Sequence, residues 1–414
     1  MKYYLSKASK IYIWIYILTA SNFLGLYQKA APFTNIYFTD MIAVLLLVLS
    51  LFFLIFKRRK NFFLHRKIQT EFFVQFFFFL TITETVVSIL HYCEYQSLLS
   101  TIKKALFPFA VVLLFFSLKE IAGTLGISYI INVIIKISFV CSFVAIIAYI
   151  LLDRSGNNFF NLDVNNYSFY RYDKPHFMIG AMIAIPGTIF AWIKCIKIKN
   201  HRKTIDIFTL ILGLVHIIYI GKTRTLIAYL IITMLIIFIY SNKKTKNIKL
   251  FSISILILFI LFGKIDTFKN LFTKLSLDNS VTYRLNGIKF YLDQLGRHPF
   301  LGMGFISGGN PVTKILLYGP NNQYYRTDVG FIGFVNEFGT VGGIWFVTLM
   351  LYACKLIKKS NIMIPNETVI YTWGFLIFLI LSSISLFSID PFRIIYMPLL
   401  LTLLDCVEKT CRKT

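Results

Sequence analysis

Charge is scarce in this sequence of 414 residues: Asp, Glu, Lys and Arg together make up 15% of it, where soluble domains carry about a quarter. Acidic residues are scarcer still, 18 against 43 Lys and Arg, for a formal net charge of +25. The six cysteines (Cys93, Cys141, Cys195, Cys354, Cys406 and Cys411) include no Cys-x-x-Cys pair. That argues against a disulfide framework or a zinc site and for thiols acting as small buried hydrophobes. No glycine-rich nucleotide fingerprint is present, and no DxD-like carboxylate pair lies between the apolar runs. Neither a cofactor nor a metal is therefore expected. Nucleic-acid-binding signatures are missing as well, so the positive balance does not point to DNA or RNA.

What the chain does have is apolar surface. It is 57% hydrophobic and 17% aromatic, with a mean hydropathy of +0.71. One or two water-soluble cores could not hide that much apolar side chain. A soluble enzyme, a disordered chain and a collagen-like fibre are excluded, and the sequence reads as an all-α polytopic membrane protein embedded in a lipid bilayer.

A spanning helix needs about 20 predominantly apolar residues. Runs near 11–27, 38–56, 72–92, 102–118, 129–152, 178–195, 205–220, 224–241, 248–263, 329–354, 368–388 and 391–406 meet this, predicting about 12 transmembrane helices. The first run follows Lys2, Lys7 and Lys10 in the manner of a signal peptide. Removing it would leave an odd number of spans and a poorer charge distribution, so it is read as a helix. With both termini cytoplasmic, the clusters at 57–67, 194–203, Lys243–Lys249, Lys355–Lys359 and Lys409–Lys413 all fall on the inside, as the positive-inside rule requires. Two outer segments, 153–177 and 264–328, are then too long to be simple turns. The whole of 1–414 is read as one integral-membrane domain, with 264–328 as a long outer catalytic loop.

Three elements on the outer side carry candidate chemistry. The first, Gly221-Lys222-Thr223-Arg224, is the whole connection between two apolar runs, with two cations on the face that disfavours them. Snorkelling to head groups is one reading; an anion clamp for a lipid-borne phosphate is the other, because guanidinium offers a planar bidentate fork. The second is the stretch 281–295, whose Val281, Leu285, Ile288, Leu292 and Leu295 recur at helical spacing. It predicts an amphipathic interfacial helix flanked by Arg284, ending before Pro299 with Gly302 and Gly304 allowing a tight return. The third begins Tyr324-Tyr325-Arg326-Thr327-Asp328 and enters an apolar span holding Glu337. Asp328 reads either as a helix N-cap or as a functional carboxylate. Glu337 must be paired or face a cavity, and Gly330, Gly333, Gly339 and Gly342 permit close helix contact. Glu84, in another apolar run, reads as part of a polar pathway or, preferably, as the buried partner of an arginine.

The order of these three elements resembles the bacterial O-antigen polymerase and O-antigen ligase superfamily of integral-membrane glycosyltransferases. Its Gly-Ser/Thr-Arg outer turn is matched by Gly221-Lys222-Thr223-Arg224. Its Arg-led amphipathic helix ending in Pro-Leu-x-Gly-x-Gly is matched by Arg284 and Pro299-Phe300-Leu301-Gly302-Met303-Gly304. Its Glu-x-Gly-x-x-Gly helix is matched by Glu337-Phe338-Gly339-Thr340-Val341-Gly342. Counting back places Asp328 where the family has His. The match covers roughly 205–345 and implies a GT-C-like helical fold acting on an oligosaccharide carried by undecaprenyl diphosphate, with a chain-length regulator as a possible partner.

The same resemblance implies roles. Arg224 and Arg284 would stabilise the departing diphosphate, Asp328 would act as base or position the acceptor, and Lys222, Arg326, Tyr324, Tyr325 and Glu337 would line the substrate. The Asp-Val-Gly form points to the Wzy-type repeat-unit polymerases ahead of the ligases. A lipid-linked oligosaccharide flippase is the rival outside glycosyl transfer. Such a transporter is expected to show internal repeats, and the sequence has no matching halves.

Overall fold

The computed structural model describes residues 2–21, 38–56, 69–156, 170–171, 174–175, 180–197, 204–241, 279–363, 367–387, 389 and 393–413. Among these residues the fold is helical apart from one two-residue hairpin, β1 (Tyr170–Arg171) with β2 (Lys174–Pro175), paired antiparallel. Five helices open the chain: α1 (Lys2–Ala20), α2 (Phe38–Phe56), α3 (Gln69–Tyr92), α4 (Leu98–Leu125) and α5 (Ile127–Ser155). Next come α6 (Ala181–Lys197), α7 (Thr204–Val215), which continues as a π-helical turn (His216–Ile220), and α8 (Arg224–Ser241). The remainder are α9 (Asn279–Arg297), α10 (Pro311–Tyr318), α11 (Phe331–Met363), α12 (Glu367–Ser382) and α13 (Tyr396–Lys413).

Four helices are long and apolar enough to cross a membrane: α3, α4, α5 and α11 over Phe331–Ser360. Shorter apolar helices lie at Val44–Ile55, Ala181–Ile196, Thr204–Ile220, Arg224–Ile239 and Glu367–Ser382. The chain is thus an all-α membrane protein. The span expected at 248–263 lies outside the described residues.

Its core is continuous, running from Ile13 and Ile17 of α1 through α4, α5 and α6 to α12 and α13. The last helix, α13, runs from Tyr396 to Lys413, overlapping the run expected at 391–406, and is enclosed by protein along most of its length, with Asp405 and Glu408 buried. Glu408 accepts from the backbone N–H groups of Gln69 (2.9 Å) and Thr70 (3.1 Å), which are otherwise unmatched donors at the start of α3. Tyr352 donates to the same carboxylate at 2.6 Å, and Arg412 pairs with it at 2.6 Å. This ties the end of α13 and the middle of α11 to the beginning of α3.

The opposite end gathers the three motif segments. Tyr229 of α8 donates to Ser385 Oγ at 3.0 Å, and the Phe331 N–H that opens α11 donates to the Ser383 carbonyl at 2.7 Å. The turn at 382–387 is therefore the hub on which the N-terminal ends of α8 and α11 converge.

Candidate functional site

The framework of the site is a backbone-to-backbone junction. Within α11, Gly339 adopts φ +63°, ψ −171° and breaks the helix. The break withdraws the helical donors of Thr340 and Val341 from the carbonyls of Asn336 and Glu337. All four groups find substitutes in the loop that follows α9. The N–H of Thr340 donates to Pro299 O (2.9 Å) and that of Val341 to Phe300 O (3.3 Å). In return, Met303 N–H donates to Asn336 O (2.7 Å) and Gly304 N–H to Glu337 O (3.0 Å). The kink thus leaves none of these polar groups without a partner.

This junction explains why two glycine-bearing motifs occur together. A Cβ on Gly339 would stand 2.0 Å from Phe300 O, and one on Gly302 would stand 2.5 Å from Asn336 O. Both residues also have φ above +60°, where side chains are disfavoured. The glycines of the third element therefore work differently from expectation. Gly330 admits the Ser383 carbonyl and Gly333 the Arg326 carbonyl, so they receive loop backbone in place of a neighbouring helix.

The loop is fastened from its other side by α3. Ser88 Oγ accepts from Phe305 N–H (2.7 Å), and Tyr92 donates to Met303 O (3.1 Å). Just past the helix, Gln96 bonds both Phe305 O (2.9 Å) and Ser307 N–H (2.8 Å). Ser88, Tyr92 and Gln96 are spaced by four, and Glu84 begins the same series. Sequence reasoning missed this ladder, although polar residues recurring every fourth position in an apolar run would have signalled it. Glu84 itself is fully buried, and its carboxylate oxygens have no hydrogen-bond partner. The expected arginine is not paired with it among the described residues.

Helix α9 buries Gly287, Tyr291 and Gln294, while Tyr283, Leu285 and Leu292 are 47%, 61% and 45% exposed, beside the exposed Asn286, Lys289 and Asp293. Of the predicted apolar stripe, Leu285 and Leu292 are exposed and Ile288 and Leu295 part-buried. Asn336 donates to Tyr291 O (3.1 Å) and Gln294 Oε1 (3.0 Å), and Tyr291 donates to Leu317 O (2.8 Å). Burial pushes the Tyr291 hydroxyl pKa up, the Arg326 charge pulls it down, and Tyr318, Asp328 and Tyr325 raise it further. Tyr291 is thus a fixed neutral donor at the centre of that cluster. Arg284 is part-buried, one turn before Gly287, and Gly287 faces Val329 and Tyr324. The structure so brings Tyr324, Tyr325, Arg326 and Asp328 into one neighbourhood, a helical turn along α9 from Arg284, with the Tyr324 ring tilted against Phe290 (5.3 Å) and Tyr325 near Tyr318 (5.4 Å).

Asp328 does not stand at the cap position of α11. It lies in a 3-10 turn, Arg326–Val329, and Gly330 at φ +55° separates that turn from Phe331. The Phe331 N–H, the first donor of α11, is taken by the Ser383 carbonyl. Glu337 is part-buried beside the kink and interacts electrostatically with Glu84.

The first motif sits at the start of α8. A π-helical turn ends at Ile220, Lys222 takes φ +41°, and Arg224 is the first residue of α8. Such turns are frequent where a helix end is redirected at a site. Lys222 has a bracing contact: its ammonium donates to Pro175 O (3.0 Å) and lies 5.5 Å from the Tyr149 ring centre. It holds the hairpin against α5. Arg224 is part-buried at a helix N-terminus, a place whose dipole favours anions and opposes cations by roughly 0.3–1 kcal/mol.

A family model described as O-antigen ligase matches residues 208–347, from α7 through the kink of α11. No curated protein matches the chain.

Proposed function

This chain is a member of the O-antigen polymerase and ligase superfamily, a membrane family of glycosyl-transfer enzymes, and from that premise we propose that it polymerises oligosaccharide repeat units carried on undecaprenyl diphosphate. An acceptor sugar hydroxyl attacks the anomeric carbon of the donor chain's lipid-proximal sugar, and undecaprenyl diphosphate departs. The leaving group gains negative charge, so fixed cations stabilise the transition state more than the ground state. Arg224 and Arg284 are assigned that task, and Asp328 accepts the hydroxyl proton. Tyr324, Tyr325 and Arg326 line the acceptor side.

One observation carries this reading. The turn at 382–387 and the Pro299–Gly304 junction bring the three motif segments, separated by up to a hundred residues, to one end of the helical assembly. That end is assigned to the outer leaflet of the bacterial plasma membrane, with both termini in the cytoplasm. Deleting the gene separates polymerase from ligase. Single repeat units left on the final acceptor support polymerisation; long chains stranded on the carrier lipid indicate ligase activity instead.

Two further results are expected. In a Cys93→Ser background, a cysteine replacing the exposed Asn321 should react with an impermeant thiol reagent in intact cells, and one at Asn61 only after permeabilisation. Labelling at Asn61 in intact cells would reverse the orientation. Separately, Arg224→Lys keeps charge but loses the bidentate fork, so glycan polymerisation should fall at least tenfold at unchanged membrane levels. Wild-type glycan length in both Arg224→Lys and Arg224→Ala would reduce Arg224 to an interface anchor.

A further inference from the structure

Arg326 is oriented by the protein but not used up by it. Its Nη1 donates to the Gly304 carbonyl at 3.0 Å. Its Nε and Nη2 are closed off from solvent and have no hydrogen-bond partner. Nε–H and the Nη2–H beside it form one straight edge of the guanidinium, the two parallel donors that grip a carboxylate or phosphate through two oxygens. Buried donors of a charged group are rarely left unmatched, and here the unmatched pair is the one suited to bidentate recognition.

The surroundings fix that edge. The Arg326 carbonyl is pressed against Gly333, where an added Cβ would lie 2.0 Å away, so the residue is held at its backbone as well as at Nη1. Glu84, the nearby unmatched carboxylate, does not take up the fork. It lies against Gly304, with Oε2 3.5 Å from where a Cβ would stand, while the carbonyl of the same Gly304 binds Nη1. Asp328 and Tyr325, on either side of Arg326 in sequence, share with it the cluster around Tyr291.

We propose that the Nε/Nη2 edge of Arg326 is a binding site for a substrate oxyanion that presents two oxygens, either a phosphate of the lipid-linked donor or the carboxylate of an acidic sugar. This rests on the glycosyl-transfer reading and deepens it, since it gives Arg326 an anionic ligand beyond the neutral sugar hydroxyls an acceptor face would need. A lysine at 326 can still donate one hydrogen bond to Gly304 O but offers no fork, and a glutamine can do the same without charge. The two variants therefore separate ligand recognition from bracing of the loop.

The test is direct binding to the full-length chain in lipid nanodiscs, with inorganic pyrophosphate, D-glucuronate and neutral glucose as probes. Wild-type protein is expected to bind one of the two anions saturably and glucose not at all. Arg326→Lys should weaken that anion on the order of tenfold or more, with unfolding temperature unchanged, and Arg326→Gln should abolish it. Loss confined to pyrophosphate identifies the donor phosphate, and loss confined to glucuronate identifies an acidic glycan. If Arg326→Lys proves unstable, Arg326→Gln alone decides. No saturable anion binding by wild type, or equal binding by a folded Arg326 variant, overturns the site. Anion binding does not require turnover, so a chain that binds the anion but makes no polymer would refute the polymerase and leave the site standing. Polymer formation without anion binding would do the reverse.

Discussion

Replacing Asp328 with Asn should yield a protein that reaches the membrane at normal levels and makes almost no polymer. General-base assistance is worth typically 10²–10⁴-fold, and Asn preserves the shape while losing proton acceptance. The geometry sharpens this expectation. A helix cap lost would cost about 1 kcal/mol of stability, but Gly330 separates Asp328 from α11, and Ser383 already receives the first N–H of that helix. A fall in activity at unchanged membrane level and thermal stability is therefore not the mark of an uncapped helix. Asp328→His, which restores the family's usual residue and a group able to accept a proton, should recover part of the activity. Full activity in Asp328→Asn would remove the proton-transfer role and leave catalysis to the arginines and to substrate positioning.

Gly339→Ala should be among the most damaging single methyl groups at the described glycines. It forces an L side chain to φ +63°, ψ −171°, which costs about 1–3 kcal/mol. It also places Cβ 2.0 Å from Phe300 O, so the junction must open or the helix must straighten. Straightening would reclaim the carbonyls of Asn336 and Glu337 for α11 and release Met303 and Gly304 from them. The combined penalty is on the order of several kcal/mol, a large part of the 5–15 kcal/mol typical of folded domains. Membrane levels and thermal stability in detergent should both drop. Gly296→Ala, where a Cβ meets nothing within 4 Å, is the control and should be tolerated. Equal stability of the two variants would show that the kink is not what holds the loop.

Hydropathy made most of the helices legible, because burying a helix in lipid or in protein demands apolar residues either way. That same indifference hid whether α13 faces lipid or protein. Its apolar residues pack inside the assembly, and its buried Asp405 and Glu408 are served by Lys409, Gln69, Thr70 and Arg412, partners that hydropathy does not register. The amphipathic helix, its end before Pro299 and the tight return at Gly302 and Gly304 followed from spacing and residue type. The reason for those glycines did not. They serve contacts between backbones distant in sequence, and backbone carries no residue code except where a side chain is forbidden. The capping reading of Asp328 came from its place ahead of an apolar run. The 3-10 turn and the glycine that set Asp328 back from the first residue of α11 are not visible in that spacing.

The central claim is that the chain joins lipid-linked repeat units without any other energy source. It is tested most directly by incubating the purified protein in liposomes with a single repeat unit on undecaprenyl diphosphate and no nucleotide sugar, then resolving the glycan by length. The account predicts a ladder of multiples of the repeat, one undecaprenyl diphosphate released per new linkage, and no ladder with Asp328→Asn. Substrate returned at its original length by active wild-type preparations, or a ladder undiminished in the Asp328→Asn protein, would contradict it.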